Sequence, residues 1–167
     1  MPVFSLGRYA GSRRSAIVAV KEHGRADLIG PLATALRDGL HKLLVWGVLE
    51  QPLNVVPAPT RRRAARRRGG DPVARIARAA TAGHPDTTVV PALRMTAFVR
   101  DSVGLSSAAR QRNVAGRIRR TGAADELSGD VVIVDDIVTT GATAAESVRV
   151  LQTSGAGVVA VLALANA

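Results

Sequence analysis

The 167-residue sequence has no cysteine, which excludes a disulfide framework and any thiolate zinc site. Aromatic residues make up 2%: Phe4, Tyr9, Trp46 and Phe98 stand singly along the chain, so no stacking platform for single-stranded nucleic acid is expected. Acids are few against bases, 13 Asp and Glu against 23 Lys and Arg, and of the bases only Lys21 and Lys42 are lysine. The resulting formal net charge of +10 predicts attraction to polyanions, phosphorylated metabolites and nucleic acid alike. No apolar run approaches the ~18 residues of a membrane span. The N-terminus has no apolar core of signal-peptide length, so a cytoplasmic location is expected. A GxxxxGK[ST] loop is absent, which excludes an ATPase of that class. His23, His41 and His84 are dispersed and show no metal-ligand spacing.

What is present is a globular composition, 47% hydrophobic and 22% charged, with no linker or repeat to divide it. One domain over 1–167 is expected. Val131 to Val134 is an apolar, β-branched run, as a strand buried on both faces requires. A polar loop follows, then a helix from Ala144 to Thr153 ended by Ser154 and Gly155, then a second apolar run from Val158 to Leu164. This βαβ pattern implies an α/β fold with a parallel, doubly wound sheet. Upstream, Leu53 to Pro57 reads as another buried strand. Asp71 and Pro72 read as the N-cap and first position of a helix whose apolar residues are Val73, Ile76, Ala77 and Ala80. Thr87 to Met95 suggests a third strand, and Leu28 to Leu44 a mostly helical segment with Pro31 near its start. Ser106 to Arg120 is polar and arginine-rich, a helix or an excursion from the fold.

The stretch VVIVDDIVTTGAT, Val131 to Thr143, carries the chemistry. Asp135 and Asp136 end an apolar strand, where open α/β sheets bind ligands. Adjacent carboxylates repel, and sugar hydroxyls or a hydrated cation would receive them. Behind them Thr139, Thr140, Gly141, Ala142 and Thr143 form a small-residue loop at a helix start, where backbone N–H groups and the helix dipole face an anion. Carboxylates for a diol and a nest for a phosphate are the groups that a ribose 5-phosphate needs. Thr143 also starts the pattern Thr143-Ala144-Ala145-Glu146, a capping box, so its hydroxyl reads either as an N-cap or as a ligand.

This stretch resembles the phosphoribosyl pyrophosphate motif of type I phosphoribosyltransferases at every position. Three further segments are similar to the ComF family of competence-associated phosphoribosyltransferase-like proteins: Tyr9 to Gly24, Val55 to Ala79, and Ser106 to Gly116. The resemblance implies a type I phosphoribosyltransferase-like fold that binds phosphoribosyl diphosphate with magnesium. Asp135 and Asp136 would face the ribose hydroxyls, and Thr139, Thr140, Gly141, Ala142 and Thr143 would hold the 5-phosphate. Ala58, Pro59, Thr60 and Arg61 would form the pyrophosphate loop. Magnesium would arrive with the diphosphate, in keeping with its preference for water and phosphate oxygens. Two departures stand out. The cysteine zinc module often found in this family has no counterpart here. Thr139 stands where the purine-salvage branch has an aspartate, and a threonine cannot abstract a proton at neutral pH, so salvage of 6-oxopurines is disfavoured.

Two functions share these residues. One is an enzyme that transfers ribosyl phosphate to an acceptor the sequence does not name. The other is a non-catalytic phosphoribosyl-binding module of a competence or DNA-handling pathway. Arg61, Arg62, Arg63, Arg66, Arg67 and Arg68 form the densest charge cluster. They read as a solvated basic face, with Arg61 near the diphosphate and the later arginines suited to nucleic-acid phosphates. The GxGxxA pattern at Gly155 precedes a strand instead of following one, so it reads as a helix stop and not as a dinucleotide site.

Overall fold

A computed structural model of the chain describes residues 1–60, 70–96, 114 and 116–167. The elements in order are β1 (Val3–Ser5), α1 (Gly11–His23), a 3₁₀ turn, α2 (Ile29–Val45), β2 (Leu53–Pro57), α3 (Pro72–Thr81) and β3 (Thr87–Val89). Then come β4 (Leu93–Met95), β5 (Ile118–Arg120), a second 3₁₀ turn, β6 (Asp130–Val138), α4 (Ala142–Thr153) and β7 (Gly157–Asn166). Five strands form one parallel sheet in the order β1-β7-β6-β2-β3. The fold is α/β, with helices on both faces of that sheet.

The apolar run of β6 explains this layering. Successive side chains leave a strand on opposite faces. Val132 and Val134 join the core formed with α1, α2 and α3, while Val131 and Ile133 join a second core with Ala144 and Leu151 of α4. All four are fully buried, each worth about 1.5–3 kcal/mol of apolar transfer. Gly39 of α2 permits the approach of that helix to the sheet, because a Cβ there would lie 2.5 Å from Leu6 Cδ2 and 3.3 Å from Leu162 Cδ2.

Local signals translate directly at α3. Asp71 Oδ1 accepts from the N–H groups of Val73 at 2.9 Å and Ala74 at 3.2 Å, and Pro72 opens the helix. Pro31 falls in the first turn of α2, where no intrahelical partner for an N–H exists to be lost. Gly155, at φ 87°, follows the end of α4 and leads into β7, as a helix stop should.

The expected strand from Thr87 to Met95 divides instead. Val90 N–H still reaches Val55 O at 3.0 Å, but Pro91 has no N–H to continue the ladder. The chain turns, and Leu93–Met95 pairs antiparallel with Ile118–Arg120 in a separate ribbon. From the expected excursion at 106–120, residues 106–113 and 115 lie outside the described residues, and Ile118–Arg120 is strand β5. Among the described residues, no helix is long and apolar enough to cross a membrane.

Candidate functional site at the carboxyl end of the central strand

β6 runs past its apolar segment and through both acids, pairing Asp135 with Ala163 and Val138 with Asn166 of β7. Its other neighbour, β2, ends at Pro57 opposite Val134. Of these two adjacent strands, β6 returns through α4 on one face, and β2 leads to β3 through α3 on the other. Reversal of the winding between adjacent strands opens a crevice at their carboxyl ends, the usual ligand position in open α/β sheets.

Because side chains alternate, the two acids separate. Asp135 lines a cleft of about 200 Å³ together with residues 137–144 and, from the far side, Val114. Asp136 turns to the α1 face. It is 8% exposed there, and its Oδ2 lies 2.6 Å from Lys21 Nζ. The expectation of two acids facing one ribose thus meets an arrangement in which the structure brings only Asp135 together with the loop.

Burial, reinforced by the negative charge of Asp136, pushes the Asp135 carboxyl up to about 8. The Asp136 N–H, which donates to Asp135 Oδ1 at 2.8 Å, and the Lys21 ammonium pull in the opposite direction without prevailing. Burial acts to lower the Lys21 pKa, but its contact with Asp136 outweighs that and leaves it raised.

The loop beyond β6 exposes Thr139 and Thr140 and half-buries Gly141, Ala142 and Thr143. Gly141 is the N-cap of α4, in the left-handed region at φ 72° and ψ 4°. Of the two readings of Thr143, the N-cap does not hold: the helix starts two residues after Thr140, and Thr143 sits inside its first turn. Nor does Glu146 close a capping box. Its carboxylate accepts from Gly116 N–H at 2.7 Å and pairs with Arg149 at 2.8 Å, so its pKa is lowered chiefly by the Arg149 hydrogen bond. No side chain caps α4, which leaves its first N–H groups and the positive end of its dipole to the cleft.

At the neighbouring strand end, Ala58 and Pro59 are buried, and Ala58 N–H donates to Val134 O at 2.7 Å. The Thr60 hydroxyl is hydrogen-bonded to Asp71 Oδ2, the acid that caps α3. Arg61 and the remaining arginines of the cluster lie outside the described residues. Among the described residues no group of three or more His, Cys, Asp or Glu stands together as a metal cage. Lys21, Val114 and the Glu146 contact to Gly116 were not anticipated from sequence. Lys21 alone left a signal, as a rare lysine in an arginine-rich chain.

In comparisons with known proteins, no family model matches the chain and no curated protein is similar to it in sequence.

Proposed function

We propose that this chain binds phosphoribosyl diphosphate in the cleft beside Asp135 and transfers its ribosyl phosphate to an acceptor. The observation that carries the reading is the pairing, in one cleft, of a carboxyl group with an uncapped helix start behind a left-handed glycine. The likeness of residues 131–143 to the phosphoribosyltransferase motif supports the same ligand. The N–H groups of the loop 139–143 would hold the 5-phosphate, and Asp135 would accept from the ribose hydroxyls. Magnesium would arrive with the substrate, carried on the diphosphate oxygens, in keeping with its preference for water and phosphate oxygens.

The chemistry asked of the protein is mostly positioning. The bond from the anomeric carbon to the diphosphate oxygen breaks, its electrons leave with the pyrophosphate, and the anomeric carbon becomes oxocarbenium-like. A bond to the acceptor then forms, and the acceptor proton passes to solvent. Thr139 cannot serve as a base at neutral pH, so the acceptor must itself be nucleophilic.

The test is pyrophosphate release from phosphoribosyl diphosphate and magnesium, assayed with a panel of bases and amines. Release by the wild type, lost in Asp135→Asn, is the expected result. Binding with no release for any acceptor would make the chain a non-catalytic phosphoribosyl-binding module, with its basic residues left for nucleic acid or a protein partner. Absence of binding would overturn the reading.

A further inference from the structure

Lys21 stands in the last turn of α1, and its Nζ crosses to Asp136 at the end of the central strand. Its apolar neighbours on the helix, Ile17 and Val20, are buried in the core, so α1 is fixed and the ammonium is delivered from a rigid element. The Asp136 end of the pair is buried, while the Lys21 side chain stays 36% exposed. A cavity of about 10 Å³ remains beside it, walled by apolar residues such as Val73, Ile76 and Leu164, room for one water at most. The Asp136 side chain is 12% exposed, and among the described residues Lys21 is its ion-pair partner. On the other face, Asp135 is the only charged residue among the described residues that line the cleft.

We infer that Lys21 is a positioning residue: it neutralises the Asp136 carboxylate that strand alternation puts on the α1 face, so that one acid is paired within the fold and the other is presented to the ribose. The inference rests on the phosphoribosyl reading of the cleft. Without Lys21, two adjacent carboxylates would share the strand end without the ammonium that pairs with one of them, and the pair could no longer keep one charge compensated and one acid available. A lysine suits this place because a compact ammonium on a flexible stem reaches a carboxylate that a planar guanidinium would have to meet side-on. Among the described residues, Lys21 is the cation that acts on this acid pair, and Glu22 adds to the field on Lys21.

The experiment uses the full chain and two readouts. Aspartate carboxyl carbons are titrated by NMR in the wild type, Lys21→Met, Lys21→Arg and the double variant Lys21→Met/Asp136→Asn. Ribose 5-phosphate binding is measured by calorimetry across the same pH range. Loss of the cation should move the Asp135 midpoint upward by roughly one pH unit, and the ribose 5-phosphate profile should move with it. Lys21→Arg restores the charge and should return both towards the wild type. The double variant removes both partners and should titrate below the wild type, since Asp136 acts on Asp135 more strongly than Lys21 does. It also avoids a buried unpaired carboxylate, so it folds even where Lys21→Met does not. An unchanged midpoint in Lys21→Met, or a double variant that titrates with the wild type, would overturn the role of Lys21. If the NMR midpoints shift as expected while no variant and not even the wild type binds ribose 5-phosphate, the electrostatic role stands and the phosphoribosyl reading falls.

Discussion

The two sides of the β6 terminus are built from the same residue type and have opposite characters. Towards α1, the carboxylate of Asp136 is paired, enclosed and left with a gap of about 10 Å³. Towards α4, Asp135 meets no cation among the described residues that line its cleft of about 200 Å³, which ends at an uncapped helix. The strand period of two makes this division unavoidable once the acids are adjacent. The packing decides which side is closed: three helices crowd one face, and on the other a loop of small residues keeps the helix start away from the strand end. One lysine compensates one acid, and the other acid is the one that lines the cleft.

The comparison breaks most sharply at Gly141. Its φ of 72° is open to glycine and strained for a β-branched residue. Gly141→Val should therefore distort the loop that aims the N–H groups, with a loss of ribose 5-phosphate affinity on the order of a hundredfold, about 2.7 kcal/mol. Thr140→Ala leaves the backbone in place and should cost less than about tenfold. Calorimetry on both variants checks the order. The reverse order would mean that hydroxyls and not the backbone hold the phosphate.

A pH series tests the other half of the site. With Asp135 raised to about 8, its carboxyl is mostly protonated at pH 7, whereas ribose hydroxyls donate to the ionised form. Affinity for ribose 5-phosphate should then rise by roughly tenfold between pH 7 and 9, above the range where the phosphate itself titrates. Asp135→Asn should bind more weakly at pH 9 and show a flat profile. The same shift has a consequence for stability. Between the unfolded value of 3.8 and about 8 the folded chain keeps a proton that the unfolded chain has released, so wild-type stability falls as pH rises through that window. Asp135→Asn removes that slope, and its melting temperature should gain on the wild type from pH 5 to 8. A wild-type pH slope retained in Asp135→Asn would place the responsible proton elsewhere.

What the sequence disclosed follows from how local each signal is. The strands at Leu53–Pro57 and in the 131–134 run, and the Asp71-Pro72 helix start, depend on neighbours in the chain, and all three appear in the fold. The division at Pro91 was written in the sequence as a missing N–H, but an apolar run on both sides of it read as one strand. The capping-box pattern at Thr143 was real as a pattern and lost to Gly141, because the left-handed turn starts the helix earlier and frees Glu146 for Gly116. Alternation along the strand implied that Asp135 and Asp136 would part. Which acid would face the cleft depended on which face of the sheet the three helices α1, α2 and α3 cover, and no local pattern carries that long-range packing.

The smallest effect concerns the far wall of the cleft. Glu146 reaches out of α4 to Gly116 N–H, and Val114, two residues before that glycine, is the lining residue opposite the loop. Glu146 thus ties α4 to the backbone near Val114, with the exposed Arg149 as a second partner. Its lowered pKa means that the contact stabilises the fold above the unfolded value of 4.5 and fades as pH falls below it. Glu146→Gln retains the shape and an acceptor for Gly116 but gives up the charge. A cost of about 1 kcal/mol is expected at pH 7, once solvent screening of Arg149 is allowed for, or a few degrees of melting temperature. The gap between variant and wild type should narrow as pH drops through 4.5 to 3. Ribose 5-phosphate affinity should fall only a few-fold, because Val114 bounds the cleft without contributing a polar group. A gap that persists unchanged at pH 3 would show that shape, and not the carboxylate charge, is what Glu146 supplies.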